Sequence, residues 1–122
     1  MAQALASVQA VPEDKGLRSS YGGLCHKLPA LILKNGLCQT VAFLGSKSAG
    51  DGAQAQAHRL VLDHLAATLG PTAQALPGYV SSVPLEEYMR ATRTTLLAWT
   101  FYKRFAVSLL GVEPAEEGGE TE

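Results

Sequence analysis

Cysteine is scarce, with Cys25 and Cys38 the only two in 122 residues. One pair is a thin framework for a disulfide-built domain, and neither lies in a CxxC spacing that would suggest zinc or dithiol redox chemistry. Both are expected to be buried thiols. Charged residues are sparse too, at 17% against the roughly one quarter usual in soluble domains. With 47% apolar residues there is enough to build a core, so extended disorder is excluded. A chain of 122 residues supports one such core and leaves no room for a second folded domain. No stretch approaches the ~18 consecutive apolar residues of a membrane span. The N-terminal stretch has no basic residue before Lys15, and Gln3, Ser7 and Gln9 interrupt its Ala and Val, unlike a secretory leader. A cytoplasmic protein with no membrane partner is expected.

Catalytic signatures are missing as well. The three histidines (His26, His58, His64) fall in no HExxH, and the chain has no GxSxG and no phosphate-cradling glycine loop. His64 sits mid-stripe on an apolar helix face and reads as a core or interface histidine before a general base. Cys25 and His26 are adjacent, so on a helix they point about 100° apart, which disfavours a Cys/His pair. Glu86-Glu87 are the only paired carboxylates weighed for acid–base work, and a helix start already explains them. No catalytic residue, cofactor or metal is expected, and an enzyme is the weaker hypothesis.

What the chain has is helical period. Met1–Val11 is Ala-rich, with Ala4, Val8 and Val11 on one face. Pro12-Glu-Asp either punctuates or opens a new helical turn, and Gly16 is expected to break the pattern again. From Leu17 to Lys34 the residues Tyr21, Leu24, Cys25, Leu28, Leu31 and Ile32 repeat as a helix interrupted or bent at Pro29. Asn35-Gly36 stops it; a hairpin is the competing reading, against flanks that are helical in period. Leu37–Lys47 is helical on Leu37, Val41 and Leu44, and a loop follows at Ser48-Ala-Gly-Asp-Gly. Ala53–Leu69 is helical until Gly70-Pro71. A short turn is expected around Thr72–Leu76, then a long helix from Pro84 to Gly111, capped by Ser81 or Ser82 with Glu86 and Glu87 in its first turn. With no convincing strand and no repeat, the expected architecture is an all-α, single-domain bundle of about five to six helices with a long C-terminal helix.

Charge divides the chain unevenly. The total of −1 argues against nucleic acid, but Glu113, Glu116, Glu117, Glu120 and Glu122 crowd the end. Residues 1–112 carry ten Lys and Arg against six Asp and Glu. The expected organisation is a basic bundle over 1–112 and an acidic disordered tail over 113–122. On a helical wheel starting at Leu85, the residues Met89, Thr92, Leu96 and Leu110 fall within about 40° of Leu85, with Tyr88 and Trp99 at the edge, and form with it the expected core face. Arg90, Arg93 and Arg104 lie apart at about 140°, 80° and 100°, with Leu97 and Phe101 among them, as an amphipathic contact surface. Arg90 and Arg93 have a bland alternative as i,i±4 partners of Glu86 and Glu87; Lys103 and Arg104 have no acid within four residues. Tyr102-Lys-Arg-Phe interleaves rings and cations in a way that suits phosphate contact. Arg18, Lys27, Lys34, Gln39 and Lys47 form a second set that no single helix aligns; they converge only if the fold brings them together, or else are scattered solubilising residues.

These residues also carry a family resemblance. Leu28-Pro-Ala-Leu-Ile-Leu-Lys-Asn-Gly-Leu-Cys-Gln-Thr-Val-Ala-Phe-Leu followed by Ser46-Lys47, then Tyr88-Met-Arg-Ala-Thr, then Trp99-Thr-Phe-Tyr-Lys-Arg-Phe-Ala, resemble in order and spacing the small all-helical subunit of Cmr-type (type III-B) CRISPR RNA-guided effector complexes. The likeness implies a non-catalytic antiviral-defence subunit that stacks in the minor filament on copies of itself and on the large polymerase-like subunit. It implies that such subunits line the channel holding the guide RNA–target RNA duplex, with no nuclease residues of their own. Carried over, it makes Lys34, Gln39, Lys47, Arg90, Arg93, Lys103 and Arg104 the candidate RNA-facing or subunit-facing positions, with Arg18 and Lys27 behind them. Pro29, Asn35, Gly36 and Phe43 are assigned to the fold, Phe43 as a core aromatic. The alternative is a helical protein–protein adaptor without direct RNA contact, and a small hydrolase is a distant third.

Overall fold

The computed structural model describes residues 1–114. Most of the expected acidic tail, 115–122, lies outside the described residues. Six helices follow in order: α1 (Ala2–Gln9), α2 (Lys15–Asn35), α3 (Leu37–Ser46), α4 (Ala53–Leu69), α5 (Leu76–Ser82) and α6 (Leu85–Leu110). The architecture is the all-α bundle with a long last helix that the periodicity predicts.

Local chemistry explains the boundaries. The Asp14 carboxylate accepts from the Leu17 N–H at 3.0 Å and starts α2, so Gly16 is absorbed into the first turn and breaks nothing. Pro29 lies inside α2. Gly36, at φ 88° and ψ 160°, takes a conformation open almost only to glycine and turns the chain directly into α3. Arg59 reaches back from α4 to donate to the carbonyls of Ser48 and Gly50, pinning the glycine-bearing loop. The short helix lies further on than expected, at Leu76–Ser82 instead of Thr72–Leu76, because Pro77 occupies its first turn, a position where proline favours a start. Ser81 and Ser82 consequently belong to α5, where both hydroxyls donate back to the Gly78 carbonyl. They do not cap α6, whose N-cap position is Pro84 itself.

α2 is the hub, packed on α4 and α6, while α1 lies on α6 and α3 bridges α4 and α5. Tyr21, Trp99 and Tyr102 are the largest fully buried side chains, and Trp99 stacks on Tyr102 with centroids 4.0 Å apart. The core face of α6 differs from the expected one. Ala91, Thr95, Trp99, Tyr102 and Ala106 are buried, whereas Leu85 is 72% and Met89 49% exposed. The true face is rotated by about 80°. It is built from small residues that let the helix approach its neighbours, with two large rings filling the space between. Tyr102 is thereby withdrawn from the surface, so it cannot join Lys103 and Arg104 in a phosphate contact. Phe43 is also corrected: it is 39% exposed, because Leu37, Val41 and Leu44 supply the inward stripe of α3 and Phe43 falls beside it. Cys25 is buried as expected, but Cys38 is only half-buried; both are free thiols.

Candidate nucleic-acid interface

The rotated register of α6 places its basic residues away from the core. Arg90, Arg93 and Arg104 are exposed, and Leu97 lies among them with 69% exposure. The Arg104 guanidinium sits 5.8 Å from the Phe101 ring centroid, a cation–π distance that steadies the side chain. Lys103 is half-buried and lies about 100° from Arg104 around the helix, off the row. Arg90 borders a small hollow of about 190 Å³ with Tyr79 and Glu87. There the Tyr79 hydroxyl donates to Glu87 at 3.0 Å, so Glu87 already has a partner beside Arg90. That hydrogen bond to the carboxylate raises the Tyr79 pKa.

A second basic surface lies across α2, α3 and α4. A groove of about 490 Å³ is lined by Lys27, Lys47, Phe43, Gln54 and His58 among others. A second hollow of about 310 Å³, with Asn35, Gln39 and Thr40, shares Leu31 and Phe43 with it. The two hollows adjoin at these shared residues, with Lys27 and Lys47 lining the first and Gln39 the second. Lys47, the C-cap of α3, holds its ammonium 5.9 Å from the Phe43 centroid. Phe43 meets the His58 ring edge-on at 5.8 Å, and His58 Nδ1 donates to the Gln54 carbonyl at 2.6 Å, which fixes the imidazole. No carboxylate lines either hollow among the described residues.

The fold thus unites Lys27, Gln39 and Lys47, which no helical period aligns. Lys34 is exposed in the last turn of α2, where a cation complements the helix C-terminus, and it does not line the depression. Arg18 is committed to structure, donating to the carbonyls of Pro12 and Val11 at 3.0 Å each. Phe43, Gln54 and His58 are the members that sequence reasoning missed. An apolar residue at the edge of the α3 stripe, beside a lysine four positions on, was the available signal for Phe43.

The interior holds three titratable groups shifted by burial. The Tyr21 hydroxyl and His64 Nδ1 share a 2.7 Å hydrogen bond, and His64 stacks on Tyr102. Burial holds His64 down at about 4 and pushes the Cys25 thiol up to about 12 and Tyr21 higher still. These groups therefore stay uncharged at neutral pH. No cluster of three or more potential metal ligands occurs among the described residues.

Comparison with known proteins decides the family. The family model described as CRISPR-associated protein (Cas_Cmr5) matches residues 1–109. The chain belongs to the Cmr5 family. It is 33% identical over 94 residues to the CRISPR system Cmr subunit Cmr5 of Thermus thermophilus, covering 76% of this chain and 77% of that protein. The crystal structure of a CRISPR-associated Cmr5 family protein from Thermus thermophilus is similar at a TM-score of 0.75 and 32% identity, over 89% of this chain and 91% of that one. The Cmr5 match runs from α1 through almost all of α6, so both basic surfaces lie on the family's own fold. No helix among the described residues of this Cmr5 protein is long and apolar enough to cross a membrane.

Proposed function

We propose that the protein is a non-catalytic small subunit of a type III-B CRISPR ribonucleoprotein effector complex. It stacks in the minor filament on copies of itself and on the large polymerase-like subunit, and lines the guide RNA–target RNA channel with basic residues. The observation that carries this reading is the basic, ring-bearing depression of Lys27, Gln39, Phe43 and Lys47 on a bundle whose interior titratable groups are held neutral. Lysines at the rim of a carboxylate-free hollow favour phosphate oxygens of any sequence, leaving specificity to base pairing. The row Arg90, Arg93, Leu97 and Arg104 mixes cations with an exposed leucine, a composition that suits a protein neighbour as well as RNA.

The experiment is charge reversal in the assembled complex. Lys47→Glu is expected to weaken target-RNA retention while every subunit still co-purifies, and Arg104→Glu tests the α6 row in the same way. The adaptor reading is favoured by the exposed Leu97 among the arginines. It wins if these variants break assembly and leave RNA retention per intact complex unchanged.

A further inference from the structure

Helix α3 turns a ring outward. Leu37, Val41 and Leu44 fill its inward stripe, which leaves Phe43 as the one exposed aromatic side chain among the described residues. A phenyl ring in water forgoes the burial that the other rings of the chain gain. It is nevertheless held in place: Phe43 meets the buried His58 ring edge-on at 5.8 Å, and that imidazole is fixed on the Gln54 carbonyl at 2.6 Å. Phe43 lines both the groove that contains Lys27 and Lys47 and the adjoining hollow that contains Gln39. On α2, Ser19, Gly23 and Lys27 follow at intervals of four along one face and line the same groove. Serine and glycine are too small to fill it, and a Cβ added at Gly23 would meet nothing within 4 Å.

We propose that Phe43 is a stacking platform for an unpaired base of an RNA strand whose phosphates are held by Lys27 and Lys47. This role rests on the RNA reading of the groove and adds the form of RNA that the groove takes. A π-face beside two cations, with no carboxylate among the described lining residues, is complementary to a flat ring that carries an anion. An acidic peptide would use the lysines and leave the ring in water; an apolar helix would cover the ring and gain nothing from the lysines. Lys47 is exposed, with its ammonium 5.9 Å from the ring centroid, within reach of the phosphate of a nucleotide stacked there. Bases inside a duplex are stacked on their neighbours and closed to a side chain, whereas unpaired bases can be splayed onto an aromatic ring. The platform therefore selects an unpaired nucleotide, of any sequence, since every base has a π-face.

The test is the target-RNA affinity of the assembled complex across a salt series. Phe43→Leu keeps an apolar side chain but removes the π-face; it is expected to weaken binding about 5-fold or more with the log–log salt slope unchanged. Phe43→Trp should restore native binding or tighten it. Gly23→Leu puts a side chain into the groove without straining the fold and should reproduce the loss with Phe43 intact. Lys47→Glu should instead make the slope shallower. Ultraviolet cross-linking of the native loaded complex should join Phe43 to a nucleotide that the guide leaves unpaired. Native affinity in both Phe43→Leu and Gly23→Leu, with Lys47→Glu still weakened, overturns the stacking role and leaves the phosphate reading standing. If Lys47→Glu also leaves affinity and slope unchanged, both fall together. Equal losses in Phe43→Trp and Phe43→Leu overturn the proposal by making Phe43 a packing residue, and a cross-link from Phe43 to a guide-paired nucleotide overturns it as well.

Discussion

His64 shows how one side chain couples stability to pH. Burial beside Tyr21 and Tyr102 lowers its pKa to about 4, while in the unfolded chain it takes a proton near pH ~6.5. Between those values the unfolded state binds the extra proton, so stability is full above about pH 6.5 and falls as pH drops towards 4. The loss approaches about 1.4 kcal/mol per pH unit, some ~3 kcal/mol in all. Urea titrations across that range should show this slope, and His64→Gln should flatten it. A native imidazole titrating near its ordinary value by NMR would contradict the assignment. Gly22 is a second residue with a defined task. Gly22→Ala gains roughly 1 kcal/mol of helix propensity but drives a Cβ into Val112. We expect the His26–Val112 hydrogen bond to break, read as a change in the His26 ring and Val112 chemical shifts, with net stability unchanged or lowered.

At the scale of elements, the junction between α2 and α3 is the most constrained point. Gly36 combines φ 88° with the Tyr88 hydroxyl 3.3 Å from where a Cβ would stand, and that hydroxyl accepts from the Cys38 N–H at 2.9 Å. Gly36→Ala should therefore cost about 1–3 kcal/mol in chemical denaturation, more than Gly45→Ala, whose Cβ would meet nothing. The bounds of α4 and α6 were legible in the sequence because Gly70-Pro71, Pro84 and Gly111 punctuate them. The core face of α6 was not legible. Hydropathy ranks Leu85 and Met89 above Ala91 and Ala106, but close approach between helices selects small side chains, a property of the partner surface that one helix's pattern does not carry. For the same reason Phe43, apolar by composition, reads as inward when α3 is taken alone. The short helix α5 resists placement from sequence because Pro77 serves equally as a stop for the turn before it and a start for the turn it opens.

For the whole molecule, a net charge of −1 conceals two basic surfaces and one acidic segment. The arginine row of α6 was readable from its period alone, since all its members share one helix. The α2–α3–α4 depression was not, because Lys27 on α2 meets Gln39 and Lys47 on α3 only through packing. Substitution on either surface should leave the monomer's stability within about 0.5 kcal/mol, as these side chains are solvent-facing; a larger loss in thermal unfolding of Lys47→Glu or Arg93→Glu would show a structural duty. Under the proposed function this bundle holds RNA through phosphates at the lysine groove. The most direct test is the salt dependence of target-RNA binding by the assembled complex with and without Lys27→Glu and Lys47→Glu. Weaker binding and a shallower log–log slope are expected, by about 0.7–0.9 for each phosphate the variant no longer neutralises, with subunit composition intact. An unchanged slope and unchanged affinity in an intact complex would contradict it.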